Sequence, residues 1–82
     1  MKVISILGST GSIGRSTLAV VELHPDRFKI FSLSGFNNND LLLEQAIKFS
    51  PSFIVTKDLS SKKILTDKLK DTKLDADVLY GN

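Results

Sequence analysis

The sequence predicts an α/β fold, a parallel β-sheet with helices on both of its faces. Three observations carry this expectation. Short β-branched apolar runs alternate with stretches of helical apolar spacing, in the order β-α-β-α-β-α-β. The connections between them are brief, which suits right-handed crossovers between parallel strands. A glycine-rich turn lies where the first strand passes into the first helix.

Residues 2–7 (Lys2-Val3-Ile4-Ser5-Ile6-Leu7) form an apolar run that ends at Gly8 and reads as a buried parallel strand. After the glycines, Ile13, Thr17, Val20, Val21 and His24 fall at helical spacing with Leu18 beside them. Pro25 disfavours helical backbone at His24, so the helix stops there. His24, the only histidine, reads as a helix C-cap interacting with the dipole rather than as a catalyst. Phe28 to Leu33 is the second strand, closing on Ser34-Gly35. The cluster Asn37-Asn38-Asn39-Asp40 is a turn that supplies N-cap candidates for the second helix. That helix carries Leu42, Ala46 and Phe49 on one stripe with Leu43 and Ile47, and Ser50-Pro51 ends it. Phe53 to Thr56 is a third strand. Asp58 or Ser60 opens a third helix with Ile64, Leu65 and Leu69, and Ala76 to Tyr80 is a fourth strand.

The fourth strand has no helix after it, and Gly81-Asn82 follow at once. The expectation is a single dinucleotide-binding unit over residues 1–82, stopped after the fourth strand, the N-terminal portion of something longer.

Composition narrows the function classes. With 41% hydrophobic and 24% charged residues the chain is that of an ordinary globular domain. No apolar run approaches the roughly 18 residues of a membrane helix. Val3 to Leu7 is too short for a signal peptide and ends in a glycine turn, so a cytoplasmic protein is expected. The absence of cysteine removes disulfides, thiolate metal sites and Cys nucleophiles. The formal charge of +2 is local, since residues 57–73 hold six lysines against three aspartates. Those lysines alternate with Leu and Ile and lack interleaved aromatics, so they read as a solvated helix face and not a nucleic-acid surface.

Gly8-Ser9-Thr10-Gly11-Ser12-Ile13-Gly14 follows a strand and opens a helix, the context a Rossmann-type phosphate turn requires. Gly8 allows the tight exit from the strand, Gly11 leaves no Cβ in the path of a phosphate, and Gly14 lets the helix approach the strand. The N–H groups from Thr10 to Ile13 are donors at a helix N-terminus, where the dipole adds roughly half a positive charge. Hydroxyls of Ser9, Thr10 and Ser12 add further donors. A P-loop is excluded because no Lys-Ser or Lys-Thr pair follows the glycines. At the end of the second strand, where an acid would accept from the ribose of NAD, stand Ser34-Gly35-Phe36-Asn37-Asn38. The missing carboxylate favours NADP, although no Arg or Lys is present there to pair with its 2′-phosphate.

The run Ile6 to Gly14 followed by Ser16-Thr17-Leu18 resembles the opening of 1-deoxy-D-xylulose 5-phosphate reductoisomerase. So do His24-Pro25-Asp26-Arg27-Phe28, Glu44-Gln45 and Phe49-Ser50-Pro51, and the likeness covers nearly the whole chain without gaps. The resemblance implies an NADPH-dependent, homodimeric oxidoreductase of non-mevalonate isoprenoid biosynthesis. Such an enzyme converts the phosphosugar 1-deoxy-D-xylulose 5-phosphate to 2-C-methyl-D-erythritol 4-phosphate with a divalent metal, Mg or Mn. Carried over residue by residue, its cofactor contacts fall on Thr10, Gly11, Ser12 and Ile13, and on Gly35, Asn37 and Asn38. Asn38 matches the family's usual asparagine, whereas Phe36 and Asn37 depart from its glycine and basic residue. The family's catalytic and metal-binding residues lie downstream, so neither a catalytic nor a metal residue is expected here. By itself the stretch is expected to be inactive. Two other functions compete: another GxxGxxG reductase, such as a semialdehyde dehydrogenase or an atypical short-chain reductase, and a non-catalytic NADP-sensing module.

Overall fold

Lys2–Leu7 forms β1, and its β-branched residues alternate between a covered and an open side. The computed structural model describes residues 1–36 and 38–81. In it, β1 leads through a helix α1 (Ser12–Leu23) to β2 (Phe28–Ser34), then α2 (Asn39–Phe49), β3 (Phe53–Thr56), α3 (Leu59–Leu69) and β4 (Asp77–Tyr80). All three strand pairings are parallel, and the strands stand side by side in chain order β1-β2-β3-β4. The parallel α/β architecture is the one the sequence predicts.

Placement of the helices differs from that expectation. Consecutive strand order advances the sheet in one direction, and right-handed crossovers then put every helix on the same side. One core cluster accordingly joins Leu18 and Val21 of α1, Leu42 and Ala46 of α2, and Leu65 and Leu69 of α3 to Ile6, Ile30, Leu33, Ile54 and Val78 of the strands. The other face of the sheet is open among the described residues. Val3 is 64% and Leu7 86% exposed there, and Phe31 packs on Phe53 at a ring separation of 5.1 Å. A second helical layer is not formed by this chain's described residues.

One irregularity sets the register. Ile4 pairs with Ile30, but the next residue, Ser5, pairs with Ser32, so Phe31 is an extra residue in β2. This bulge lets Ile30 and Leu33 both point into the core although they are three residues apart.

The face that α1 buries is also not the one its large residues suggest. Gly14, Leu18 and Val21 are buried, whereas Ile13 is 85% exposed and Val20 lies outward. The stripe begins at a glycine, which a search for apolar side chains passes over. In α2 and α3 the expected core residues Leu42, Ala46, Leu65 and Leu69 are buried, while Ile47 and Ile64 are exposed. His24 is the C-cap of α1, its backbone N–H donating to the Val21 carbonyl. The lysines of α3 are solvated, and Lys48–Glu22 and Lys68–Asp40 pair helices across the surface, where such bridges contribute little.

The starts of α2 and α3 are closed by side chains. Asn38 Oδ1 accepts the Leu41 N–H at 3.0 Å, and Asp58 Oδ1 accepts the Ser61 N–H at 2.9 Å. That backbone bond, aided by the Ser61 hydroxyl and nearby Lys57, holds the Asp58 carboxyl below its ordinary range. A depressed folded-state pKa stabilises the fold above the unfolded value and ceases to do so as pH falls through the folded value. Asp58→Asn is therefore expected to weaken the acid dependence of helix content as pH falls through and below the ordinary carboxylate range. Circular dichroism of both proteins tests this, and superimposable acid profiles would contradict it.

Candidate functional site

The C-terminal ends of β1 and β2 lie next to each other, and the turns that leave them form the two walls of one cleft. Gly8 leaves β1 with φ +70, a left-handed conformation that favours glycine. The Gly11 N–H donates back to the Gly8 carbonyl at 3.0 Å, closing the turn. The turn is tied to β2 by Ser9 N–H to the Ser34 carbonyl at 2.7 Å. Gly35 in turn donates its N–H to the Val55 carbonyl of β3 at 3.1 Å.

Two glycines are fixed by close approach. A Cβ on Gly14 would lie 2.3 Å from the Gly8 carbonyl oxygen and 2.5 Å from the Ser9 Cα, so α1 sits on the turn at a distance only glycine permits. A Cβ on Gly35 would meet the Thr10 side chain at 3.0 Å. The two turns thus touch through Thr10 and Gly35, and the cleft begins above that contact. It measures about 660 Å³, with Leu7, Gly8, Thr10 and Gly11 on one side and Ser34, Gly35, Phe36 and Asn38 on the other.

Unlike the other two helices, α1 has no side-chain cap. Gly11 is its N-cap, and the first intrahelical bond runs from Arg15 N–H to the Gly11 carbonyl at 2.9 Å. The N–H groups of Ser12, Ile13 and Gly14 precede that bond and have no partner within the helix. No acidic residue occupies the first turn, so the positive end of the helix dipole is not neutralised. Such an N-terminus beside a cleft can hold an anion.

Of the residues singled out from the sequence, Thr10, Gly11, Gly35 and Asn38 line the cleft, and Ser12 and Ile13 open the uncapped helix. Asn37 lies outside the described residues. Two sequence expectations change. The Gly11 N–H is engaged with Gly8 and is not a free donor. Ser9 is fully buried, which removes its hydroxyl from the cleft.

Gln45 has a supporting role that its place in the sequence does not announce. It is buried on α2, and its Nε2 donates to the Ser9 carbonyl at 2.8 Å, holding the turn from beneath. Its Oε1 and the Ser9 Oγ are both buried without a partner among the described residues. The available signal was a glutamine standing in the apolar stripe between Leu42 and Ala46. Gln45→Ala leaves the Ser9 carbonyl unsatisfied and is expected to destabilise the fold by about 2 kcal/mol. A urea midpoint equal to that of the wild type would rule this out.

Among the described residues, no three His, Asp or Glu side chains converge on a point where a metal ion could be held. No described helix is long and apolar enough to cross a membrane.

The frame of parallel strands, the positive-φ glycine leaving β1 and the glycine under α1 define a Rossmann-like domain of the glycine-rich-turn class. A model of the family described as 1-deoxy-D-xylulose 5-phosphate reductoisomerase matches residues 4–82. The chain belongs to that family. It is 46% identical over its whole length to the enzyme of that name from Buchnera aphidicola subsp. Schizaphis graminum, of which it covers 21%. It is 44% identical over 81 residues to the one from Haemophilus ducreyi, covering 99% of this chain and 20% of that one. Among solved structures, a reductoisomerase in complex with NADPH, fosmidomycin and magnesium matches all of this chain and 20% of its own, at 41% identity and TM-score 0.94. The Zymomonas mobilis enzyme in complex with NADPH matches 98% of this chain and 21% of its own, at 29% identity and TM-score 0.88. The chain thus spans about a fifth of the length of the relatives it matches.

Proposed function

We propose that residues 1–82 are the N-terminal NADPH-binding portion of a 1-deoxy-D-xylulose 5-phosphate reductoisomerase. The whole enzyme is then a cytoplasmic homodimer of isoprenoid biosynthesis that takes a phosphosugar substrate to 2-C-methyl-D-erythritol 4-phosphate with a divalent metal. The observation that carries the cofactor reading is the uncapped N-terminus of α1, opening beside the cleft between the β1 and β2 turns. The relatives' structures with NADPH support it.

The residues present fit a dinucleotide. Ser12 and Ile13 offer backbone N–H groups to a pyrophosphate, and Gly11, having no side chain, lets it come close. Thr10 and Gly35 set the floor of the cleft, and Asn38 stands on the side of the adenosine half. Bound NADPH supplies the hydride for the reduction. This chain contributes binding and orientation of the cofactor. The described residues do not fit a metal ion, so the carboxylates that hold it belong to the rest of the enzyme.

The end of β2 carries no acid to accept from a ribose 2′-hydroxyl or to repel a 2′-phosphate. The complete enzyme is therefore expected to bind NADPH more tightly than NADH. Dissociation constants for both, taken at one salt concentration, test this. NADH binding as tight as NADPH binding would contradict it.

A further inference from the structure

Phe36 is a large apolar side chain on a turn otherwise built of glycine and asparagine. It takes no part in the hydrophobic core or in the apolar layer packed against that core. It is 41% exposed and lines the cleft on the β2 side. Two described residues close to it are anchored. Gly35 is pinned by its bond to Val55 and by contact with Thr10, and Asn38 is committed through Oδ1 to the start of α2. An aromatic ring has few rotatable bonds, so it loses little freedom when a ligand stacks against it.

The electrostatics of the cleft point the same way. None of its eight described lining residues carries a charge, and Phe36 is its one aromatic. A 2′-phosphate in this cleft meets amide and backbone dipoles but no cation among those residues. The recognition that the β2 wall can offer is thus mainly a π-face for a planar base. With a pyrophosphate at the N-terminus of α1, the base of a dinucleotide lies toward that wall, at the crevice outside the strand ends.

Resting on the dinucleotide reading above, we infer that Phe36 is the stacking platform for the adenine ring. It contributes to affinity equally for the phosphorylated and unphosphorylated cofactor.

The test is made on the complete enzyme, with dissociation constants for NADPH, NADH and nicotinamide mononucleotide, which lacks adenine. A base stacked on an aromatic side chain accounts for roughly fivefold or more in affinity. Phe36→Ala is expected to weaken NADPH and NADH binding by the same factor, of at least about fivefold, and to leave the mononucleotide unchanged. Phe36→Trp is expected to restore both, which a general loosening of the turn would not allow. Tight wild-type binding with unchanged constants in Phe36→Ala would overturn the role of Phe36 and leave the cofactor reading standing. So would a loss confined to NADPH, which would place the 2′-phosphate and not the base at this turn. Failure of the wild-type enzyme to bind either dinucleotide would overturn both readings together.

Discussion

Replacing Gly14 with alanine is expected to destabilise the fold by about 3 kcal/mol or more, an effect larger than most single substitutions produce. The added methyl would fall 2.3 Å from the Gly8 carbonyl oxygen and 2.5 Å from the Ser9 Cα. Both obstacles are backbone, so no side chain can turn aside. Relief requires either lifting α1 off the turn, which uncovers Leu18 and Val21, or moving the turn away from β2, which breaks the Ser9–Ser34 hydrogen bond. A small domain holds only about 5 kcal/mol at the lower end of the usual range, so either route brings it near unfolding. Gly11→Ala is the internal comparison. Its Cβ would approach the Gly8 carbonyl only to 3.4 Å, an ordinary contact, and its φ of −83 suits any residue. Urea unfolding of the two variants should separate them, with a large loss at position 14 and little change at position 11. Equal midpoints would contradict the packing described for α1.

Gly11→Val should do the reverse, keeping the fold and removing the cofactor. The position is exposed and extended, so a valine is accommodated there. Its methyls would stand beside the Ser12 and Ile13 N–H groups and keep a pyrophosphate at a distance. Two hydrogen bonds to a charged group, each worth about 1.5 kcal/mol or more, are lost in that case. At about 1.4 kcal/mol per tenfold, the dissociation constant for NADPH rises by roughly a hundredfold or more. Titration of the variant in the complete enzyme, alongside its far-ultraviolet circular dichroism, gives the result. Unchanged affinity with native dichroism would count against the whole cofactor assignment.

The residues that make both substitutions informative were legible in the sequence because their requirements are local. A strand that ends in glycine, a second glycine at the helix start and a third three residues later specify a turn whatever surrounds it. The N-caps Asn38 and Asp58 were legible for the same reason, since each acts on a backbone N–H three residues away. What local pattern does not contain is tertiary direction. The order of elements implies parallel strands but not that they stand in chain order, and it is chain order that gathers all three helices on one face. Ile13 and Val20 have the right spacing for a core stripe. The closeness of α1 to the Ser9 backbone instead turns Gly14, Leu18 and Val21 inward. The bulge at Phe31 depends on how β1 pairs with β2, and the Gln45–Ser9 bond joins residues 36 apart. Neither leaves a periodic trace. In the site, the burial of Ser9 depends on tertiary packing, whereas the Gly11 N–H is engaged within the turn itself, by the Gly8 carbonyl; the N–H groups left without a partner within α1 are those of Ser12, Ile13 and Gly14.

On the proposed reading, the glycine turn at the end of β1 holds the pyrophosphate of NADPH. The most direct measurement is a crystal structure of the complete enzyme with NADPH bound. The pyrophosphate oxygens are expected to accept hydrogen bonds from the backbone N–H groups of Ser12 and Ile13, with Gly11 in van der Waals contact and the adenosine half between Thr10 and Phe36. A pyrophosphate seated elsewhere, with the N-terminus of α1 left to solvent, would contradict the account.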